Sequence, residues 1–362
     1  MPSAPSPTPA RLALEALLRS RIAVLDGAMG TTLRTYGMKE QDIRGARFAS
    51  APKDLLNNGD LFSLTQPGMV GDIHRRFLEA GAYIIETNTF GATSIAQSEF
   101  FVDDPREHGG RKDPAFYQKI IETPFLNDLA WEINEQSARQ CRAWADRVAS
   151  ADGRPRFVAG AVGPLTVSLS NSPDADDAGF RVVTFDQVKA AYALQIEALC
   201  AGGVDLVLVE TIFDSLNAKA ALVALREVFE ARGGELPVII SAAVGRGGET
   251  MISAQTAPAF WTAVEHVKPL AVGLNCSLGP DLMYPFLAEL AETAFACVDL
   301  ESERYLRVDA ALVRAPERTV SVGDASKARR ELGWEPTVTF GELVERMVRA
   351  DLRDLESITA GP

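Results

Sequence analysis

The sequence predicts an α/β protein built on a parallel sheet. Short, almost entirely apolar runs alternate with longer amphipathic stretches, which is typical of parallel strands covered by helices on both faces. Loops rich in Gly, Asn, Thr and Asp follow these runs. We count six strand–helix units between residues 21 and 290. A closed (β/α)₈ barrel needs eight such units, so the count is two short.

The six apolar runs expected to form strands are residues 22–25, 82–85, 157–159, 204–209, 237–241 and 270–274. Helices are expected over residues 67–80, 127–149 and 185–201. The first of these begins with Pro67 and stops at Gly81, which is the usual asymmetry of proline at a helix start and glycine after its end. The other two carry apolar residues at three- and four-residue steps.

The chain is expected to divide into three parts. Residues 1–20 combine a proline-rich tail with a short helix, and residues 21–290 hold the strand–helix units. Residues 291–362 do not continue this rhythm. They offer one strand candidate, 319–322, and two helices, 326–332 and 340–352. Because closing a barrel requires two further strands with crossover helices, we do not expect this segment to complete one.

Composition narrows the class of protein. The 362 residues carry 36 Lys and Arg against 49 Asp and Glu, a net charge of −13. This acid excess argues against binding to nucleic acid or to an anionic membrane surface. No apolar run reaches the roughly 18 residues of a membrane span. Four cysteines in a chain of this length make no disulfide framework. The sequence therefore predicts a soluble, cytoplasmic enzyme.

Polar side chains cluster where the predicted strands end. Asp26, Glu86 and Glu210 each follow or end a different apolar run, and Cys276 follows the last one. The carboxyl ends of parallel strands lie at one edge of the sheet, so we expect these side chains to converge. Carboxylates suit an ammonium group or a general base, whereas a thiolate suits a soft metal or a nucleophile.

Structural explanations remain open for each of these residues. An acid after a strand often only caps the next helix, although capping does not require acids after three strands. A single cysteine such as Cys276 is more often a small buried hydrophobe than a ligand. Cys141 and Cys200 lie on apolar helical faces and are expected to be packing residues. His74, His108 and His266 lie away from the predicted strand ends, so each is expected to be a packing or surface residue.

Four motifs together resemble the homocysteine-binding domain of cobalamin-dependent methionine synthase, over about residues 11–290. They are VLDGAMGTT at 24–32, GAYIIETNTF at 81–90, VETIFDSLNA at 209–218 and VGLNCSLG at 272–279. The resemblance implies a (β/α)₈ barrel that binds homocysteine. It also implies a zinc ion held by three cysteine thiolates, which lowers the pKa of the substrate thiol. The methyl group would come from methylcobalamin on another module or chain.

The same resemblance assigns roles to individual residues. Asp26 and Glu210 would contact the amino group of homocysteine, and Glu86 and Asn88 would line the same pocket. Cys276 would be the first zinc ligand. The family's other two ligands are an adjacent cysteine pair, which this sequence lacks. We therefore expect the zinc site to be incomplete and zinc binding to be weak or absent.

The carboxyl-terminal segment resembles a different family. VGDASKARRELGWEP at 322–336 and FGELVERMV at 340–348 are similar to the end of GDP-mannose 4,6-dehydratase. That family's glycine-rich nucleotide motif and Tyr-x-x-x-Lys pair would lie upstream, and neither occurs here. The sequence thus indicates a junction near residues 288–296 between an incomplete barrel and a foreign segment.

Three functions follow from these observations. The first is a homocysteine S-methyltransferase domain of the methionine synthase type. The second is a pseudo-enzyme or partner-dependent subunit that binds an amino acid or another chain without chemistry. The third, a relative of nucleotide-sugar dehydratases, depends on the final segment alone.

Overall fold

The computed structural model describes residues 8–246, 249–279 and 282–288 of the chain. Within these residues five strands form one sheet. They are β1 (Ile84–Glu86), β2 (Phe157–Val162), β3 (Leu206–Ile212), β4 (Val238–Ala242) and β5 (Ala271–Leu274). The predicted α/β class is therefore confirmed. Predicted elements beyond residue 288, including the strand candidate at 319–322, lie outside the described residues.

All strand pairs are parallel, and neighbours in the sheet are neighbours in the chain. Each crossover contains at least one helix, since parallel strands cannot be joined by a tight turn. A sequential order of this kind is that of a barrel wall, whereas a doubly wound sheet reverses its strand order at one point. That the barrel is incomplete stays a prediction.

The prediction that residues 22–25 form a strand of the sheet is wrong. Only Leu25 forms a bridge, parallel to Ile84, and the Tyr83 N–H donates to the Val24 carbonyl at 2.8 Å. The physical reason is exposure, because Ile22 is 85% exposed and Val24 52% exposed. An apolar run that is not covered gains too little from burial to extend its pairing.

The helices occupy the connections between the strands. They are α1 (Pro9–Ser20), α2 (Met29–Thr35), α3 (Glu40–Arg44), α4 (Phe62–Thr65), α5 (Pro67–Glu79), α6 (Ser94–Phe101), α7 (Pro114–Glu122), α8 (Pro124–Asp152), α9 (Phe185–Gly202), α10 (Ser215–Arg232) and α11 (Ala257–Val264). Residues 282–288 are also helical. The three predicted helices correspond to α5, α8 and α9. No helix among the described residues is long and apolar enough to cross a membrane.

Local sequence signals explain where these helices begin and end. At the start of α9, the Thr184 hydroxyl accepts from the Gln187 N–H while the Gln187 side chain accepts from the Thr184 N–H. This reciprocal capping satisfies two of the N–H groups that a helix start leaves unpaired. The helix ends at Gly202, and the next residue, Gly203, adopts a left-handed conformation with φ of 91°. Glycine reaches that conformation without a steric penalty.

The core lies on both faces of the sheet. Along β3, Val207 and Val209 pack in the cluster that contains α8, α9 and α10 side chains, whereas Leu206 and Leu208 pack on the opposite face with Leu14 of α1. Successive strand residues point to opposite faces, which produces this alternation. Helix α1 therefore covers part of the face that the long crossover helices leave open.

Candidate functional site

The acids predicted from the sequence meet at the carboxyl ends of the strands. Asp26 directly follows the bridge residue Leu25, Glu86 ends β1, and Glu210 lies near the end of β3. Cys276 stands two residues beyond β5. Because the strands are parallel, these positions lie at the same edge of the sheet.

Asp26 is bonded to the backbone of Glu86. Its Oδ2 accepts from the Glu86 N–H at 3.0 Å, whereas its Oδ1 is buried and has no hydrogen-bond partner among the described residues. Burial raises the pKa of Asp26 to about 8, although the Glu86 N–H opposes this, and the charge of Glu210 raises it further. An unpaired buried carboxylate oxygen needs a donor, since leaving it unsatisfied costs free energy.

The side chains of Glu86 and Glu210 are hydrogen-bonded to each other. Burial raises the pKa of Glu86 well above its usual value, and the charges of Glu210 and Asp26 add to this. Burial also raises the pKa of Glu210, but hydrogen bonds from Thr211, Glu86 and Asn275 favour its charged form. Burial therefore disfavours the charged form of both carboxyl groups, more strongly at Glu86 than at Glu210.

A fourth acid, Asp60, joins this cluster, and sequence reasoning missed it. Asp60 lies in a helical turn, Gly59–Leu61, and its Oδ2 accepts from the Gly91 N–H at 3.0 Å. Burial raises its pKa to about 7, and the charge of Glu210 adds to the effect. No strand precedes Asp60, so the rule that finds acids at strand ends has no signal for it.

A distorted backbone brings Thr211 and Asn275 beside Glu210. The β3–β4 pairing shifts register between Val209 and Ile212, and Thr211 has a φ of 55°. The Asn275 amide donates to Thr211 Oγ1 at 2.7 Å and to Glu210 Oε2 at 3.4 Å. Bulges and left-handed non-glycine residues re-aim side chains and concentrate at functional sites.

Asn88 has its side-chain amide directed to a neighbouring turn. Its Nδ2 donates to the Gly59 carbonyl at 2.9 Å and to Ser63 Oγ at 3.2 Å. Its backbone N–H donates to Ser137 Oγ at 2.8 Å. These bonds fix the segment that follows Glu86, and a direct contact of Asn88 with a ligand stays a prediction.

Cys276 lies at the exposed border of the acid cluster. Its Sγ is 3.8 Å from Thr211 Oγ1 and 3.6 Å from Asn275 Nδ2. Both Cys276 and the next residue, Ser277, have a left-handed backbone, with φ of 58° and 63°. Both of these neighbours also bond to Glu210, and a shared function of the thiol and the acids stays a prediction.

The donor groups in the described part of the chain do not by themselves fit a zinc ion. Zinc sites use three or four protein ligands, and no group of three His, Cys, Asp or Glu residues suited to a metal occurs among residues 8–246, 249–279 and 282–288. Burial raises the pKa of the neighbouring Glu86, which opposes the charged form that a zinc ligand needs. The role of Cys276 as a zinc ligand stays a prediction.

Beneath Glu86 lies a buried pair that the sequence did not indicate. The Cys141 Sγ is 3.2 Å from His74 Nε2 and 3.5 Å from the Glu86 carbonyl oxygen. Burial lowers the pKa of His74 to about 4 and raises that of Cys141, so both are neutral near pH 7. Cys141 and Cys200 are buried, which confirms their prediction as packing residues.

Together these features define an α/β protein with a buried acid cluster and a thiol at the strand ends. The sequence model of the homocysteine S-methyltransferase family matches residues 23–305, so the chain belongs to that family. The model of the GDP-mannose 4,6-dehydratase family matches residues 287–347. The two matches overlap over residues 287–305, the region that contains the predicted junction, whose exact position stays a prediction.

Solved structures show the same fold. The homocysteine methyltransferase MmuM from Escherichia coli, in its metallated form, superposes with a TM-score of 0.54 at 18% identity, covering 78% of this chain and 83% of that one. Its apo form gives 0.53 at 18% identity, covering 78% and 82%. At this identity the likeness concerns the fold alone.

Proposed function

We propose that the chain binds homocysteine and is a methyltransferase of the methionine synthase type. The observation that carries the proposal is the buried Asp26 Oδ1, which has no partner among the described residues and lies in a cluster of acids. A protonated amine supplies three N–H donors and a positive charge. It would satisfy Asp26 Oδ1 and stabilise the charged form of the neighbouring carboxyl groups.

In this proposal Asp26 and Glu210 hold the amino group of homocysteine. The ammonium favours the charged form of each carboxyl, so binding should lower the pKa of Asp26 and release a proton near neutral pH. Glu86 orients the Glu210 carboxylate through their hydrogen bond. Asn88 contributes through the segment it fixes.

The thiol of homocysteine would then lie toward Cys276. An ordinary thiol has a pKa of about 8.5, so most of the substrate is uncharged at neutral pH. Zinc, where bound, would supply the lowered thiol pKa, and Cys276 would provide one ligand. Since the described residues do not complete a zinc site, we propose that the chain alone transfers methyl groups from methylcobalamin very slowly.

A second candidate is a non-catalytic amino-acid-binding protein or a partner-dependent subunit. The lack of a ligand group suited to a metal among the described residues favours it, because the acid cluster can bind an amine without any metal. In that case a cobalamin-binding module would not bring about methyl transfer. The match of residues 287–347 keeps a relation to nucleotide-sugar dehydratases as a third candidate, which GDP-mannose binding would support.

The test is calorimetric titration of the full chain with homocysteine in a reducing buffer, with and without zinc. We expect Asp26→Asn and Glu210→Gln each to weaken binding about tenfold or more, since a charged hydrogen bond is lost. Asp128→Asn removes an exposed acid on α8 and should leave the affinity unchanged. The desamino analogue of homocysteine should bind poorly. Equal binding of that analogue, or no effect of Asp26→Asn, would refute the proposal.

Methyl transfer is measured separately, as methionine formed from homocysteine and methylcobalamin. Homocysteine binding without turnover, in the presence of zinc and a cobalamin-binding partner, would favour the non-catalytic candidate. Turnover that requires the partner would favour the methionine synthase type.

A further inference from the structure

One buried aspartate bonds the turn after β3 to the loop after β2. Asp214 is 2% exposed, and its Oδ1 accepts from the Leu216 N–H at 2.9 Å, as the cap of α10. Both oxygens also accept from the other loop. The hydroxyls of Ser168 and Ser170 donate at 2.6 Å, and the N–H groups of Leu169 and Ser170 donate at 3.2 Å.

Asn217, in the first turn of α10, adds two bonds to the same loop. Its Nδ2 donates to the Val167 carbonyl at 2.7 Å, and its Oδ1 accepts from the Leu169 N–H at 2.9 Å. We call the bonds from Asp214 and Asn217 to residues 167–170 the Asp214 clamp. Burial opposes ionisation of Asp214, yet the hydrogen bonds from Ser168 and Ser170 hold its pKa below the usual value.

Helix capping alone does not explain these bonds. Asp113 caps α7 with a single side-chain bond, in which it accepts from the Phe116 N–H at 2.8 Å. Asp214 makes the equivalent bonds to its own helix and several more across the gap between two loops. A buried carboxylate with several donors holds its partners in a fixed geometry, because each donor loses its partner if the loop moves.

The clamped loop borders the candidate site. Its first residues, Gly163 and Pro164, line a cavity of about 10 Å³ together with Glu210 and Phe213. On its other side Gly163 approaches the backbone of Phe90 so closely that a Cβ there would lie 2.3 Å from the Phe90 carbonyl oxygen. The loop therefore lies between the segment after Glu86 and the turn after Glu210.

We propose that Asp214 is a positioning residue, which holds the loop of residues 163–172 against the turn that carries Glu210 and so fixes the wall of the amine site. The inference rests on the proposed function, in that the amine bound beside Glu210 is that of homocysteine. Asp214 itself does not touch the ligand. It acts through Ser168, Ser170 and the backbone between them.

The experiment combines hydrogen exchange with homocysteine titration of the full chain, far below its melting temperature. Asp214→Asn keeps the volume and the helix cap but removes the charge. We expect exchange of residues 165–172 to become about tenfold faster and the homocysteine Kd to rise about tenfold. Asp113→Asn is the matched control, since it changes a capping aspartate that holds no loop, and it should alter neither quantity.

A double variant, Ser168→Ala with Ser170→Ala, removes the hydroxyl donors and leaves α10 capped. It tests the positioning role of Asp214 if Asp214→Asn folds poorly. Faster exchange with an unchanged Kd in the double variant would overturn the positioning role, and unchanged exchange would overturn the clamp. If the unsubstituted chain binds no homocysteine, the proposed function fails instead, and the positioning of a homocysteine site fails with it. The exchange measurement then still decides whether Asp214 holds the loop.

Discussion

The two sides of the candidate site differ in how far the protein encloses them. Glu86 ends β1, a strand whose every residue is buried, and the neighbouring β2 is equally buried. Cys276 follows β5, in which Ala271 is exposed and the other residues are half-buried. Glu86 thus stands on the covered part of the sheet and the thiol on its open part, and the carboxyl group of Asp26 is buried although the run before it is exposed.

This difference separates two kinds of chemistry. On the covered side, burial raises the pKa of Asp26, Asp60 and Glu86, and the same low dielectric strengthens their attraction for an ammonium ion. On the open side, Cys276 is exposed, and within residues 8–246, 249–279 and 282–288 no group suited to a metal surrounds it. The acid side is therefore suited to binding an amine, whereas zinc binding on the thiol side requires further ligands.

The largest expected effect comes from the same substitution made at two places. Ile85 in β1 is 0% exposed and Ile22 is 85% exposed. Ile85→Ala should lower the free energy of unfolding by about 3 kcal/mol, because it removes buried methyl groups and leaves a cavity. Ile22→Ala should change it by less than about 0.5 kcal/mol. Urea unfolding of both variants measures the two values, and similar losses would contradict the contrast drawn here.

The sequence predicted the strands of the covered part of the sheet better than the exposed segments at its edges. Run 204–209 is apolar at every position but one, which favours a buried strand, and β3 begins within it. Residues 22–25 carry the same pattern without the cover, which composition does not reveal. Exposure of a strand depends on what packs over it, and that is a property of the whole chain.

The site shows the same division. Asp26, Glu86 and Glu210 were found because parallel strands bring their carboxyl ends together. Asp60 follows no strand, and it reaches the cluster only because Gly91 leaves room, since a Cβ there would lie 2.9 Å from Asp60 Oδ2. The register shift at Thr211 was also missed, because a bulge leaves no mark in an apolar run.

A substitution at Gly163 should have the next largest effect. In Gly163→Ala the new methyl group would meet the Phe90 carbonyl at 2.3 Å, and backbone on both sides must move. We expect a loss of about 2 kcal/mol in unfolding free energy and weaker homocysteine binding. Gly30→Ala, where a Cβ meets nothing within 4 Å, is the control and should bind normally. Unfolding and titration together test this, and an unaltered Gly163→Ala protein would show that the loop tolerates displacement.

Asp26→Asn should stabilise the fold while weakening ligand binding. The folded protein keeps the Asp26 proton up to about pH 8, whereas the unfolded chain loses it near the usual value of 3.8. The contribution of Asp26 to stability is therefore complete below pH 3.8 and is lost as the pH rises toward 8. Asparagine mimics the protonated form, so the variant should be about 1–2 kcal/mol more stable than the wild type at pH 8.5 and similar at pH 4.

Urea unfolding at both pH values checks this expectation. Asp128→Asn, at an exposed position, should give the same stability as the wild type at each pH. A variant that is less stable than the wild type at pH 8.5 would mean that Asp26 is ionised and satisfied in the unliganded fold, contrary to the acid cluster described above.

The smallest effect is expected at Cys276, on the open side of the site. Cys276 is exposed, so Cys276→Ser should change the unfolding free energy by less than about 0.5 kcal/mol. A complete structural zinc site has an apparent binding free energy of about 10–16 kcal/mol, and one thiolate retains only a small part of it. After dialysis against zinc-free buffer, both proteins should therefore hold far less than one zinc ion per chain, and homocysteine should bind both equally. Metal analysis with methylcobalamin-dependent methionine formation decides this. Near-stoichiometric zinc with turnover, both lost on Cys276→Ser, would mean that residues beyond the described part of the chain, or a partner, complete the site and enclose its open side.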